Sequence, residues 1–213
     1  MASASPRRQA LMDLLGLEWL AAPSNIDEEL YLRGGPPLAA LGVALAKAGS
    51  VATTDAVVLA ADTVVALAGA VLGKPSDAAD AVRMLGALRG RAHEVLTGVG
   101  VRSATGRDWG GVVSTGVVMR SYGDDEIDAY VKRGEPFDKA GAYAVQDDEF
   151  RPVEHLEGCY LNVVGLPLCA VAAGLESVGQ AIPNRPPSSV PPCEWCRRGA
   201  SVVAIGQGGR RGS

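Results

Sequence analysis

The chain has 213 residues, 47% of them hydrophobic, which is enough for one large domain or two small ones with a real core and excludes disorder over the whole length. With 24 acidic against 20 basic residues the formal net charge is -4, so no global positive field exists to hold a nucleic-acid backbone or an anionic membrane, and any anionic partner needs a local cationic cluster. The apolar stretches at 64–73 and 163–175 fall short of the roughly 18 residues of a spanning helix. Arg7 and Arg8 are followed closely by Asp13 and Glu18, which leaves no room for a signal-peptide hydrophobic region. Cys159, Cys169, Cys193 and Cys196 are too few for a disulfide scaffold in a chain of this size. The expectation is a soluble, cytoplasmic protein without nucleic-acid or membrane partners.

In chain order, Ser5-Pro6 is an N-cap and first-turn pair, and Ala10, Leu11, Leu14 and Leu15 recur at helical spacing until Gly16. A second helix is expected from Pro37 to Ala48, with Leu38, Leu41 and Leu45 inward and Lys47 in its last turn. Ala56 to Ala61 is a continuous apolar run that reads as a strand covered on both faces and ending at Asp62-Thr63. Val64 to Leu67 and Val71-Leu72 then form a hairpin around Ala68-Gly69. A helix over Ser76–Leu88 carries Val82, Leu85 and Leu88, and two long β segments flank the turn Thr105-Gly106-Arg107. Asp124 caps a helix with Ile127, Tyr130 and Val131 inward, Gly134 ends it, and a last helix starts at Pro167. The fold class is α/β, with hairpins interleaved among helices and therefore a mixed, twisted sheet with flanking helices. At about residue 181 the periodic pattern gives way to a Pro/Gly/Arg-rich segment, so residues 1–181 are read as the domain and 182–213 as a disordered tail.

Ser3-Ala4-Ser5-Pro6-Arg7-Arg8 sets two hydroxyls, backbone N–H groups and two guanidinium groups at a helix N-terminus, which suits phosphate. A capped helix with solvated arginines accounts for the same residues equally simply. Asp62 follows six apolar residues, at the place where α/β folds put ligand-binding groups, although a strand-end aspartate can also merely cap a turn. Gly69, Gly73 and Lys74 approach a P-loop, but the spacing is one residue short and Pro75 takes the Ser/Thr position. There is no G-x-G-x-x-G after a strand, so a kinase or dinucleotide enzyme is disfavoured. Residues 134–146 fit neither periodicity and read as a binding loop or an ordinary surface loop. His93 and His155 are read as structural. Cys193 and Cys196 lack a second pair at zinc-finger spacing.

Ser3-Ala4-Ser5-Pro6-Arg7-Arg8, Ala61-Asp62-Thr63, Gly73-Lys74-Pro75, the run Asp138 to Gln146 and the run Asn162 to Pro167 occur in the order found in the Maf family, which the chain resembles over about residues 2–180. The resemblance implies a cytoplasmic nucleoside triphosphate pyrophosphatase that uses a divalent metal, with an architecture shared with the inosine-triphosphate pyrophosphatases. It also implies that Asp62 is the proton acceptor and that Ser3, Arg8, Glu28, Lys47, Lys74 and Gln146 line the site, with specificity positions at Arg7, Thr63 and Gln146. The wording of Ala140 to Gln146 is similar to the branch that cleaves dTTP and UTP rather than methylated GTP.

A triphosphate would need Arg7, Arg8, Lys47, Lys74 and Lys139 to converge locally. Glu28 with Asp62 makes the minimal protein set for Mg²⁺ or Mn²⁺. Family members have an apolar strand before the Ser-x-Ser-Pro-Arg-Arg loop, so either this chain's start lies further upstream or the loop is anchored on one side only. The alternative function is a catalytically weak nucleotide-binding regulator of cell division, and homodimerisation is left open.

Overall fold

A computed structural model describes residues 1–31, 34–53 and 55–184. The expectations for residues 185–213, including Cys193 and Cys196, lie outside them. The helices are α1 (Pro6–Asp13), α2 (Pro36–Ser50), α3 (Ala78–Leu88), α4 (Asp124–Lys132), α5 (Tyr160–Val164) and α6 (Leu168–Ser177). The strands are β1 (Val58–Leu67), β2 (Ala70–Leu72), β3 (Ala92–Arg102), β4 (Asp108–Met119) and β5 (Val153–Glu157). Among the described residues, no helix is long and apolar enough to cross a membrane.

The five strands form one sheet in the order β2-β1-β3-β4-β5, and every pairing is antiparallel. A sheet with parallel neighbours was expected from the helices between strands. β2 and β3 do run in the same direction, since each is antiparallel to β1, and α3 joins them. That crossover skips β1, so strands of like direction are never neighbours. α4 lies on the path from β4 to β5, which are antiparallel neighbours, so that connection skips no strand.

β1 also differs from expectation, because it does not stop at Asp62. Its ladder with β3 continues through Asp62↔Gly98 and Thr63↔Thr97 to Ala66↔Glu94, so both polar residues sit in mid-strand. Backbone pairing with β3 here, and with β2 from Val65 onward, outweighs the local break in hydropathy.

Alternation along β1 sends Ala60, Asp62, Val64 and Ala66 to one face, where Ala40 packs on Val64 and Ala66. This face receives α2. The residues of α2 buried against it are Ala39, Ala40, Leu41, Val43, Ala44 and Ala48, whereas Leu38, expected inward, is 52% exposed. β3 explains the choice of alanine. A Cβ on Gly98 would lie 2.3 Å from the Ala40 carbonyl oxygen, and one on Gly100 would lie 2.9 Å from the Ala44 carbonyl. The helix therefore rests directly on a strip of bare backbone, where only small residues fit.

On the opposite face Leu59, Ala61, Val99, Val101 and Val113 pack with Leu166, Leu168, Val171 and Leu175 from the α5–α6 region, joined by Met12 and Leu15. A second cluster gathers Val65, Val95, Val117 and Met119 with α3 and α4. In α3 the buried positions are Ala81, Met84, Leu85 and Leu88. Val82, expected inward, falls outside that stripe and is 38% exposed. α3 begins at Ala78 with Asp77 as its cap, the Asp80 N–H donating to Asp77 Oδ1 at 2.8 Å. In α4 Gly123 takes the cap position, its N–H donating to Glu126 Oε2 at 2.8 Å, and Asp124 instead accepts from Arg89.

The amino end is held on two sides. Ala2 N–H donates to the Leu59 carbonyl at 2.7 Å, Ala22 N–H donates to the Met1 carbonyl at 2.9 Å, and Met1 and Ala2 are buried. Beyond the expected boundary at 181, Ile182 packs on the first cluster and Asn184 N–H reaches the Leu15 carbonyl at 3.2 Å.

Because its Cβ would meet backbone rather than a movable side chain, Gly98→Ala should destabilise the fold by about 1–3 kcal/mol or more. Gly86→Ala in α3, where the nearest side-chain atom to a Cβ would be an Arg89 nitrogen at 4.0 Å, should be neutral or slightly stabilising. Thermal denaturation of the two variants checks the contrast.

Candidate active site

A cleft of about 450 Å³ opens beside β1, between the start of α1, the end of α2, the β2–α3 link and the segment 138–146. Arg7, Arg8, Glu28, Lys47, Asp62, Thr63, Lys74 and Gln146 all line it, as does Lys139. Ser3 does not. It is buried behind the loop, where its Oγ accepts the Ser5 N–H at 3.2 Å and so shapes the turn that presents the arginines.

Asp62 is the inner carboxylate, with its side chain 13% exposed. Lys47, brought in by the last turn of α2, sets its Nζ 2.8 Å from Asp62 Oδ1 and 2.7 Å from Glu28 Oε1. One ammonium thus serves two carboxylates. Glu28 comes from the short 3-10 helix Glu28–Tyr31 and is 52% exposed. Burial raises the Asp62 carboxyl above its ordinary value; Lys47, by charge and hydrogen bond, and Arg8 pull it back, while Glu28 adds to the rise.

Arg8 is fixed from the other side. Its Nε donates to the Gly165 carbonyl at 2.8 Å and its Nη2 to Thr63 Oγ1 at 3.0 Å. Burial holds its guanidinium below the ordinary arginine value, against the opposing pull of Asp62. Thr63 Oγ1 lies 2.9 Å from Thr97 Oγ1, and Thr97 donates to the Asn162 carbonyl at 3.1 Å. Since a hydroxyl has a single proton, Thr97 accepts from Thr63, and the chain runs in one direction from Arg8 through Thr63 and Thr97 to Asn162.

Arg7 and Lys139 meet at Asp138, the Arg7 Nη1 at 2.9 Å from Oδ2 and the Lys139 Nζ at 2.7 Å from Oδ1. Lys74 lies on the exposed edge, next to Gly73, whose carbonyl accepts the Gly141 N–H at 2.9 Å. The segment read as a binding loop consists of two short 3-10 turns, Glu135–Asp138 and Ala140–Ala142, leading to Gln146.

Several residues of this arrangement had no individual role in the sequence reading, although Ser5, Tyr143 and Asn162 stand in stretches it singled out. Asn162 is wholly buried, donating from Nδ2 to the Val95 carbonyl at 2.8 Å and to Thr115 Oγ1 at 2.9 Å. Together with Thr115 and Thr97 it ties α5 to the sheet and so supports Gly165. A lone amide within the apolar run 161–166 was the available signal. Tyr143, Glu29 and Ser5 also line the cleft. His155 is exposed, and His93 is buried on β3.

Among the described residues, no group of three or more His, Cys, Asp or Glu side chains is placed to hold a metal ion. Of the carboxylates lining the cleft, Glu28 and Asp62 are brought together on either side of Lys47. Two carboxylates fit an ion such as Mg²⁺, which takes one or two from protein and the rest from phosphate and water, better than a metal caged by protein alone.

The fold and this cleft define an α/β protein with a cation-rich pocket around one buried carboxylate. The sequence profile of the family described as Maf-like protein matches residues 1–178, and the chain belongs to that family. It is 45% identical to a protein of Thermomicrobium roseum, over 92% of this chain and 91% of the relative. It is 51% identical to one of Anaeromyxobacter dehalogenans, over 88% and 97%, and 49% identical to one of Moorella thermoacetica, over 84% and 94%. All three relatives bear the name dTTP/UTP pyrophosphatase.

Lys47 opposes the rise of the Asp62 carboxyl, so in Lys47→Met that group should titrate at still higher pH. Carboxyl-carbon NMR across a pH series, compared with the parent, measures the shift.

Proposed function

We propose that the chain hydrolyses dTTP and UTP to the nucleoside monophosphate and pyrophosphate. The observation that carries this reading is the buried Asp62 carboxylate, set against Lys47 in a cleft that also presents Arg7, Arg8, Lys74 and Lys139. The names of the relatives support the choice of nucleotides.

In this reading Asp62 is the proton acceptor. A carboxyl raised by burial is a better base near neutral pH than an ordinary one. Lys47 occupies Oδ1, and no hydrogen bond from a described residue reaches Oδ2. Oδ2 is thus the oxygen available to orient a water and take its proton. The water oxygen bonds to the α-phosphorus, the bond from that phosphorus to the bridging oxygen breaks, and pyrophosphate leaves against the cationic side chains. Arg8 cannot swing away without breaking its bonds to Gly165 and Thr63, which makes it a fixed phosphate ligand, while Arg7 and Lys74 are nearer solvent. A divalent cation, Mg²⁺ or Mn²⁺, held by Glu28 and Asp62 would neutralise phosphate charge and polarise the α-phosphate. Gln146 offers a donor and an acceptor, matching the edge of a uracil or thymine ring, with Arg7 and Thr63 as further specificity positions. Ser3 acts by shaping the loop. The same reading carries a cytoplasmic location, in keeping with the sparing use of cysteine, and allows a homodimer.

Pyrophosphate release across a panel of nucleotides, with and without Mg²⁺ or Mn²⁺, tests the proposal. Release from dTTP and UTP that requires the ion supports it, while tight binding without release would favour a nucleotide-binding regulator. Asp62→Asn keeps the shape and removes the basicity, so turnover should fall by about 10² to 10⁴ with little change in nucleotide affinity or thermal midpoint. In Gln146→Ala, relative rates for dTTP, UTP, dCTP and GTP should converge while inhibition by inorganic tripolyphosphate stays near the parent value.

A further inference from the structure

Tyr143 lines the cleft but is only 6% exposed, and its hydroxyl points inward to His93 Nε2 at 2.8 Å. The two rings meet edge to face, with centroids 5.5 Å apart and an interplanar angle of 88°. His93 is itself 5% exposed, and β3 holds it firmly through the His93↔Val117 pairing with β4. The bond therefore fastens the segment leading to Gln146 to one of the two central strands flanking the site.

That segment needs fastening. Gly141 has φ +68° and Ala142 has φ +63°, so two successive residues are left-handed and the second is not glycine. Such a conformation persists only where its surroundings over-determine it. The Gly141 N–H to the Gly73 carbonyl, the Ala142 N–H to the Lys139 carbonyl at 3.1 Å and the close seat of Gly141 on Val65, where a Cβ would come within 3.0 Å of Cγ2, hold the strained pair itself. Beyond it, the Tyr143 hydroxyl on His93 grips the chain three residues before Gln146, whose own side chain bonds Tyr160.

We propose that His93 and Tyr143 are positioning residues for base selection, their buried hydrogen bond holding the 141–146 segment so that the Gln146 amide stands in register with the base edge of the nucleotide. This rests on the reading of Gln146 as the base-recognising side chain. Neither residue takes part in proton transfer to the substrate. Burial keeps the imidazole neutral, its pKa pushed down to about 4, and raises the Tyr143 phenol above its ordinary value, so the pair stays uncharged at neutral pH. A neutral pair can be buried at small cost because each polar atom in the contact satisfies the other.

The test compares Tyr143→Phe, His93→Leu and His93→Gln with the parent. Leu fills space without a polar atom, whereas Gln carries its amide to about where Nε2 stood. The ratio of kcat/KM for dTTP to that for dCTP should fall about three- to ten-fold in Tyr143→Phe and His93→Leu, the usual worth of one buried hydrogen bond. It should return toward the parent in His93→Gln, while inhibition by inorganic tripolyphosphate stays unchanged in all three. Amide hydrogen exchange of 141–146 without nucleotide should quicken in the first two variants and recover in the third. If His93 only fills space, Leu will be the better replacement and Gln the worse, which overturns the proposal. Unchanged base ratios despite a loosened segment overturn it equally. A parent that cleaves no nucleoside triphosphate refutes the functional reading instead, and the exchange data then still decide whether the bond holds the segment.

Discussion

The arrangement of the site depends on how closely α2 lies on the sheet. Gly98 stands opposite Asp62 in the β1–β3 ladder, and Gly100 stands opposite Ala60. Since neither has a side chain, the backbone of α2 comes down onto β3 at Ala40 and Ala44. Lys47 lies two turns beyond Ala40 on the same helix, and the descent carries its ammonium to within 2.8 Å of Asp62. Side chains on β3 at these two places would lift the helix and leave Asp62 buried without its cation. A charged carboxylate in that position is costly unless paired. The two glycines therefore govern the electrostatics of Asp62 without touching the cleft.

The charges of the cleft are shared rather than free. Lys47 is divided between Glu28 and Asp62, and Asp138 is divided between Arg7 and Lys139. Each shared group keeps its neighbours from repelling one another, so cations can be concentrated in a chain whose net charge is -4. The two clusters differ in solvation. Asp138 is 58% exposed and its pair with the 30% exposed Arg7 is screened and weak, while Lys47 and Asp62 are 12% and 13% exposed and interact in a poorer dielectric. An incoming polyanion can displace Asp138 from Arg7 at little cost. It cannot easily separate Lys47 from Asp62, so Arg7 adapts while the inner pair stays fixed.

The sequence made the chemical cast of the site legible and its mechanical support much less so. Asp62, Arg8 and Gln146 stand in recognisable motifs, Lys47 follows from the family resemblance alone, and the structure brings all four to one cleft. Elements with a clean period, such as α4 and the β3–β4 hairpin, were also readable. The course of β1 through Asp62 and Thr63 was not, because it is fixed by pairing with residues more than thirty positions away. For the same reason Leu38 and Val82 were turned inward by hydropathy and outward by packing. Gly98 and Gly100 belong to no motif, and only the approach of a helix shows what they are for. Thr97 and Thr115 gave almost no signal, since a threonine in a strand is ordinary and its burial against the Asn162 amide is a tertiary fact.

Those polar residues settle how rigid the arginine at the inner wall must be. The chain Arg8 to Thr63 to Thr97 to the Asn162 carbonyl has every hydroxyl accepting one bond and donating one, with no freedom to reverse. It ends on Asn162, whose own amide is tied to β3 through Val95 and to β4 through Thr115. Rotating Arg8 away from Thr63 would strip a partner from a hydroxyl whose own proton is already committed inward. The same motion would break the bond to Gly165, at the end of the helix that Asn162 anchors. Arg8 is therefore held at two points by a network that closes on itself through two strands and α5. A guanidinium so held pays little conformational entropy when it meets an anion, and its direction is set before the anion arrives.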